Sequence, residues 1–305
     1  MKLNINNKKI LIIGGTGFIG FHLCKFFNNK NYKVTSISKT PPKKIRKLKQ
    51  IKYIYRDISK FKEIEFLKKM NFKYVINCGG YVDHKNKKKN HSTHFLGCKN
   101  LIKIFERNKI KLFIHIGSSS EYGNLKSPHI EKIIGNARDV YGKAKLLATQ
   151  HILKKKIPFI ILRPYQLYGP YQDENRFIPF IINSCLKDVK FPCSEGNQLR
   201  DFLYIDDFVR AVELIIKNKN LSGHIFNIGS EKPIEIKKII LKINKLIKKG
   251  TPQYGKIKLR QREQAIVYPS IKKIKRYINW VPKINLDKGL KKTFDYFKKN
   301  KKRSF

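Results

Sequence analysis

The run Lys8-Lys-Ile-Leu-Ile-Ile-Gly-Gly-Thr-Gly-Phe-Ile-Gly20 constrains this chain more than any other feature. A lysine pair leads into four consecutive aliphatic residues, the signature of a strand buried on both faces. Glycines at 14, 17 and 20 follow without a spacer, and Phe21-His-Leu-Cys-Lys-Phe-Phe27 then places apolar residues at helical spacing. A strand, a glycine turn and a helix in that order let the backbone turn tightly, approach a pyrophosphate and present helix N-terminal N–H groups to it. Gly14, Gly17, Phe18, Ile19 and Gly20 are therefore candidate cofactor-binding residues.

The same alternation continues. Short apolar runs at Lys9–Ile13, Lys33–Ile37, Tyr53–Tyr55, Tyr74–Cys78, Leu112–Gly117 and Phe159–Arg163 are separated by helix-period segments such as Phe21–Asn28, Glu63–Met70, Cys98–Arg107 and Gly142–Lys154. Strands alternating with helices predict an α/β protein with a doubly wound parallel sheet. After Arg163 the texture changes to RPYQLYGPYQDENRFIP, which reads as loop. Residues Phe202–Ile216 read as a turn and an amphipathic helix, His224–Ile228 as one more strand, and the region from Pro233 as lysine-rich helices ending in a frayed tail, KKNKKRSF. The expected division is a dinucleotide-binding domain over 1–163, with 203–230 returning to it, and a smaller, mostly helical substrate domain over 164–305.

NAD-binding sheets commonly carry an acidic residue at the end of the second strand, where it accepts hydrogen bonds from the ribose. This chain has Ser36-Ile-Ser38-Lys39-Thr there. Hydroxyls and a cation suit a 2′-phosphate better, so NADP is preferred to NAD, the alternative being a plain polar turn. Asp57 and Ile58, after the third strand, are placed for the adenine end of the cofactor; Asp57 alternatively caps the next helix.

Two further segments carry chemistry. Tyr141-Gly-Lys-Ala-Lys145 opens a predicted helix, and a spacing of four puts both side chains on one face. An ammonium beside a phenol favours the phenolate and is expected to draw the Tyr141 pKa down from about 10. Ser118-Ser119-Ser-Glu-Tyr-Gly123 follows the strand LFIHIG at the carboxyl edge of the sheet, where open α/β sheets bind ligands. A hydroxyl there can hydrogen-bond a substrate oxygen.

Glycine loop, serine turn and Tyr-x-x-x-Lys, each on its expected element, resemble the extended short-chain dehydrogenase/reductase family of nucleotide-sugar epimerases, dehydratases and reductases. The resemblance covers nearly the whole chain, through GGTGFIG, SSSEYG, YGKAK, LRPYQLYGP, RDFLYIDD and the late INWVP. It implies a Rossmann fold, a nicotinamide cofactor and catalytic roles for Ser118, Tyr141 and Lys145, with Tyr141 and Lys145 also touching the cofactor. It further implies a nucleoside diphosphate sugar as substrate, touched by Ser119 and held through its diphosphate by Arg200, Arg260 and, as a weaker match, Arg176. A homodimer built on the helices carrying Tyr-x-x-x-Lys is implied as well. The 4,6-dehydratases of the family place an acidic pair after the catalytic Thr, where this chain has Ser119 and Ser120, which disfavours dehydration. Glu121-Tyr-Gly is similar to the active-site turn of reductases acting on 4-keto-6-deoxy sugars, with a 4-epimerase holding NAD as the alternative.

Composition bears on partners and compartment. A formal charge of +47 argues on its face for nucleic acid, yet the lysines are scattered through nearly every element, and no basic stripe with interleaved aromatics is present. A generic basic surface is the expectation, and no specific nucleic-acid site. The five cysteines form no C-x-x-C pair or metal-ligand spacing, and no signal peptide or run of about 18 apolar residues is seen. A metal-free, cytoplasmic protein is expected.

Overall fold

The computed structural model describes residues 8–81, 86–133, 135–218, 220–259 and 263–301. Seven strands form one sheet: β1 (Lys9–Ile13), β2 (Lys33–Ser38), β3 (Lys52–Tyr55), β4 (Tyr74–Asn77), β5 (Leu112–Ile116), β6 (Phe159–Pro164) and β7 (His224–Ile228). Their spatial order is β3-β2-β1-β4-β5-β6-β7 and every pairing is parallel. This is the doubly wound Rossmann arrangement that the alternation predicts. The direction of winding reverses between β1 and β4, and such a reversal opens a crevice at the carboxyl edge of the strands.

The aliphatic runs are continuous because both faces are covered. Within β1, Ile10 and Ile12 pack with Leu23 and Phe27 of helix α1 (Phe18–Asn29), whereas Leu11 and Ile13 join Leu101 and Phe105 of α2 (Gly97–Phe105) on the opposite face. Helix α3 (Val140–Leu153) adds Ala148 and Ile152 to the second face. A third cluster forms away from the sheet, from Ile178 and Ile182 of α4 (Phe177–Lys187), Ile239 and Ile243 of α6 (Ile236–Ile247), and Leu290 and Phe297 of α7 (Leu286–Lys301). Between α4 and α6 in the chain, α5 (Ile205–Lys217) packs Phe208 and Val212 against the first face.

Three local expectations are revised. The segment after β6 is not all loop: Gln166–Tyr168 pairs in parallel with Phe202–Tyr204, because Tyr165 and Tyr168 bury their rings instead of turning outward. Its last residues start α4, with Pro179 in the first turn, where a missing N–H costs no bond. The segment expected as one helix over Glu63–Met70 is an α-helical turn, Phe61–Ile64, continued as a 3₁₀ turn, Glu65–Lys69. Of the tail expected to fray, residues 298–301 continue α7, anchored by buried Phe297 just before them, and residues 302–305 lie outside the described residues. Among the described residues no helix is long and apolar enough to cross a membrane.

Candidate active site

The glycine loop joins β1 to α1 at the crevice. Gly14 takes φ +76°, and a Cβ there would stand 2.8 Å from the Cys78 carbonyl oxygen at the end of β4. A Cβ on Gly20 would be 2.2 Å from the Gly14 carbonyl oxygen, so the first turn of α1 lies directly on the loop. Gly17 differs. It is the N-cap of α1, and a Cβ on it would meet only Gly14 O, at 3.3 Å. The first turn of α1, with the amides of Phe18, Ile19 and Gly20, follows it directly. No carboxylate occupies that turn, which leaves its partial positive charge for an anion. These features fit a dinucleotide pyrophosphate.

At the neighbouring strand ends, Ser38 is buried and its hydroxyl accepts the Thr16 N–H at 3.3 Å, tying β2 to the glycine loop. Lys39 is exposed and forms a 2.8 Å ion pair with Asp57, whose other oxygen accepts the N–H and hydroxyl of Ser59. Asp57 does not cap the next helix, whose N-cap is Lys60 without a side-chain bond; it closes the local turn at Ser59 and stands beside Lys39. Ile58 is buried against Gly97 of α2, where it supports the crevice from below.

The turn after β5 is built around a buried carboxylate. Ser118 caps a 3₁₀ turn, Ser119–Tyr122, its hydroxyl accepting the Ser120 N–H at 3.1 Å while its own N–H donates to Glu121 at 2.8 Å. With its acceptor capacity partly used by Ser120, the Ser118 hydroxyl keeps its proton to donate. Ser119 is partly exposed in the same turn. Glu121 is fully buried; beyond Ser118 it takes hydrogen bonds from Thr149 of α3 at 2.8 Å and from Arg163 of β6 at 2.9 Å. Its oxygens are thus engaged with Ser118, Thr149 and Arg163, so it braces the serine turn from within the fold. The charge of Arg163, inside the apolar run FIILR, is the sequence signal that such a partner exists.

Helix α3 starts at Asp139, whose side chain accepts the Gly142 N–H, and brings Tyr141 and Lys145 under the serine turn. Tyr141 and Ser118 are hydrogen-bonded through their side chains. The expected lowering of the Tyr141 pKa is not found. Burial raises it, outweighing the Ser118 hydrogen bond and the positive charge of Arg176. Lys145 Nζ donates instead to the Ile116 carbonyl at 2.6 Å, and burial brings this lysine down to about 8.

Of the three arginines, Arg176 stands at the N-cap position of α4 without a capping side-chain bond, and its charge favours the phenolate of Tyr141. Arg200 is buried, with a 2.8 Å ion pair to Glu263 and a hydrogen bond to the Leu199 carbonyl. Arg260 lies outside the described residues. His94, which no motif marks, stands with its ring edge-on to Tyr141 at 5.0 Å. No cluster of three or more metal-ligating side chains occurs among the described residues.

Residues 10–229 match the sequence profile of the NAD dependent epimerase/dehydratase family. The chain belongs to this family. Members similar to it along nearly their whole length include the CDP-abequose synthase of Salmonella muenchen, 26% identical across 94% of this chain and 97% of its own. The UDP-glucuronate 4-epimerase of Thermodesulfobacterium geofontis is likewise 26% identical, across 95% and 96%. Among solved structures, the UDP-glucuronic acid 4-epimerase from Bacillus cereus, in complex with UDP-glucuronic acid and NAD, superposes with a TM-score of 0.87 at 26% identity, covering 96% of this chain and 99% of its own. In this epimerase/dehydratase chain the glycine loop after β1 and the serine turn after β5 leave the same edge of the parallel sheet, and Tyr141 of α3 is hydrogen-bonded to that serine turn.

Proposed function

We propose that this chain carries out redox chemistry on the sugar of a nucleoside diphosphate sugar, and that its reaction is the NADPH-dependent reduction of a 4-keto-6-deoxy sugar at C4. The nicotinamide, when bound, supplies the hydride. Tyr141 then gives its phenolic proton to the oxygen at C4 while Ser118 donates a hydrogen bond that steadies the growing charge. Lys145 holds the cofactor ribose, and Gly14 to Gly20, Ser38, Lys39, Asp57 and Ile58 bind its remainder. Arg176, Arg200 and Arg260 hold the substrate diphosphate through forked guanidinium donors, with Ser119 at the sugar. Residues 1–163 and 203–230 would serve the cofactor, and the rest the substrate.

The observation that carries this reading is the Ser118–Tyr141 hydrogen bond at the carboxyl edge, beside a loop shaped for pyrophosphate. Reduction is favoured over dehydration because Ser119 and Ser120 offer no carboxylate to remove water. NADP is favoured by Ser38 and Lys39, since Lys39 is exposed and free to exchange Asp57 for a 2′-phosphate. A second reading, a 4-epimerase with resident NAD, is supported by full-length similarity to UDP-glucuronate 4-epimerases. Mass spectrometry of native and denatured protein, followed by NADPH and NADH oxidation with a panel of nucleoside diphosphate 4-keto-6-deoxy sugars, separates the two. Stoichiometric NADPH consumption supports the reductase. NAD retained through purification, with no net NADPH consumption, supports the epimerase.

A further inference from the structure

Tyr141 has a neighbour that neither the motifs nor the proposed mechanism uses. Ahead of α2 the chain makes a π-helical turn, His91–Leu96. Such widened turns are rare and cluster at functional sites. This one carries His94, which is buried. The imidazole is held on two sides. Its Nε2 hydrogen-bonds the Tyr81 carbonyl at 2.9 Å. Its Cε1 lies where Gly80 would place a side chain, 2.7 Å from an ideal Cβ. Gly80 and Tyr81 belong to the segment that leaves β4 at the crevice, so the ring is clamped onto the crevice wall. From there it meets the Tyr141 ring perpendicularly, at an interplanar angle of 87°, the arrangement in which the positive edge of one ring faces the negative face of another.

We propose that His94 is a positioning residue for Tyr141: the clamped imidazole fixes the phenol ring in the orientation that meets Ser118. The inference deepens the reading of Tyr141 as proton donor and rests on it for its catalytic consequence, though not for the contact itself. A phenol that turns about its Cβ–Cγ axis or tilts away from Ser118 delivers its proton off line, and displacements of about 1 Å cost up to roughly a hundredfold in rate. Several other groups bear on the same phenol. They are Ser118 and Glu121 from the serine turn, Asp139 at the cap of α3, Arg176 ahead of α4 and Lys145 one turn further along α3. None of them replaces the ring contact if His94 is lost.

The test uses the full chain with His94→Ala, His94→Asn and His94→Phe. Tyrosine labelled with ¹³C at Cζ reports the titration of Tyr141 by NMR, the resonance being assigned by its loss in Tyr141→Phe. This readout needs no turnover. We expect His94→Ala and His94→Asn to admit water beside the phenol and move its titration midpoint down by about one unit. His94→Phe, which keeps the ring edge, should stay near the wild type. In turnover, His94→Ala should lose about tenfold or more in kcat, with dinucleotide Kd and substrate KM within about threefold, and His94→Phe should recover most of the loss. An unchanged Tyr141 titration in His94→Ala overturns the proposal. So does a fall in dinucleotide affinity matching the fall in kcat, which would make His94 a cofactor ligand. Should the wild type turn over no nucleotide sugar at all, the functional reading fails while the NMR titration still decides the role of His94; should His94→Ala not fold, His94→Asn and His94→Phe carry the comparison.

Discussion

Burial raises Tyr141 above the usual phenol value, which suits the proton donor proposed for it. A reductase needs an acid at C4, and a phenol held protonated across the neutral range always has one to give. Removing it should therefore abolish proton delivery and little else: Tyr141→Phe is expected to lose about 10²- to 10⁴-fold in kcat while dinucleotide affinity, measured by fluorescence titration, changes by less than about twofold. Full activity in that variant would remove Tyr141 from the mechanism. Lys145 is perturbed in the opposite sense, to about 8 in the fold against about 10.4 in an unfolded chain. Between those values the unfolded chain binds more protons, so this group makes stability rise with pH across the window. Its destabilising effect is complete below pH 8. Lys145→Met lacks that effect; in urea unfolding its stability advantage over the wild type should shrink as pH goes from 8 to 10. An advantage constant with pH would show that Lys145 is not depressed in the fold.

The serine turn, β6 and α3 depend on one another through a single buried ion pair. Glu121 is 0% and Arg163 1% exposed, and their 2.9 Å contact is reinforced by Thr149 and by the Tyr122 ring, whose centroid lies 4.5 Å from the guanidinium carbon. Taking away one member leaves a buried charge alone, so Glu121→Ala should cost about 3–5 kcal/mol, read as a lower urea midpoint. The double variant Glu121→Leu/Arg163→Met should be more stable than Glu121→Ala, because neither charge is then buried. If the single change left the midpoint in place, the pair would not be what joins these elements. This is also where sequence and structure part company. Strand and helix periodicity located every strand of the main sheet: the central strands β1, β4, β5 and β6 are buried on both faces and read as apolar runs, while edge strand β3, KYIY, stays partly exposed and shows only through its β-forming residues. The placement of Ser118 after β5 and of Tyr141 and Lys145 at the start of α3 was legible because it follows from fixed spacings on fixed elements. The inward turn of Glu121 was not, since its partners lie 28 and 42 residues away in sequence and only Arg163 is anomalous where it stands. The Lys145 hydrogen bond to Ile116 was equally hidden, because a backbone carbonyl leaves no mark in sequence, and the expected drop in the Tyr141 pKa failed because burial of the phenol, which spacing does not show, raises it.

Across the whole molecule, 68 Lys and Arg face 21 Asp and Glu. The cations lie mostly on exposed positions of nearly every element, while Arg200 is buried and already paired with Glu263. On the proposed function, a nucleoside diphosphate sugar would be drawn first by a diffuse positive field and only then fixed by specific donors, its phosphates taking the place of Glu263 at Arg200. The two contributions separate by ionic strength. Charges more than about 10 Å apart are screened at 0.1 M salt, whereas a buried guanidinium with its ligand in contact is not. Raising salt from about 10 to about 200 mM should thus raise KM for the substrate several-fold and leave kcat unchanged, since the reacting groups lie inside the crevice. Duplex DNA, bound only through scattered lysines, should dissociate with a much steeper dependence on salt, because each phosphate it engages releases a counterion. A KM that stays flat over that range would mean the surface field plays no part in capture, and that contact with the buried arginine alone sets substrate affinity.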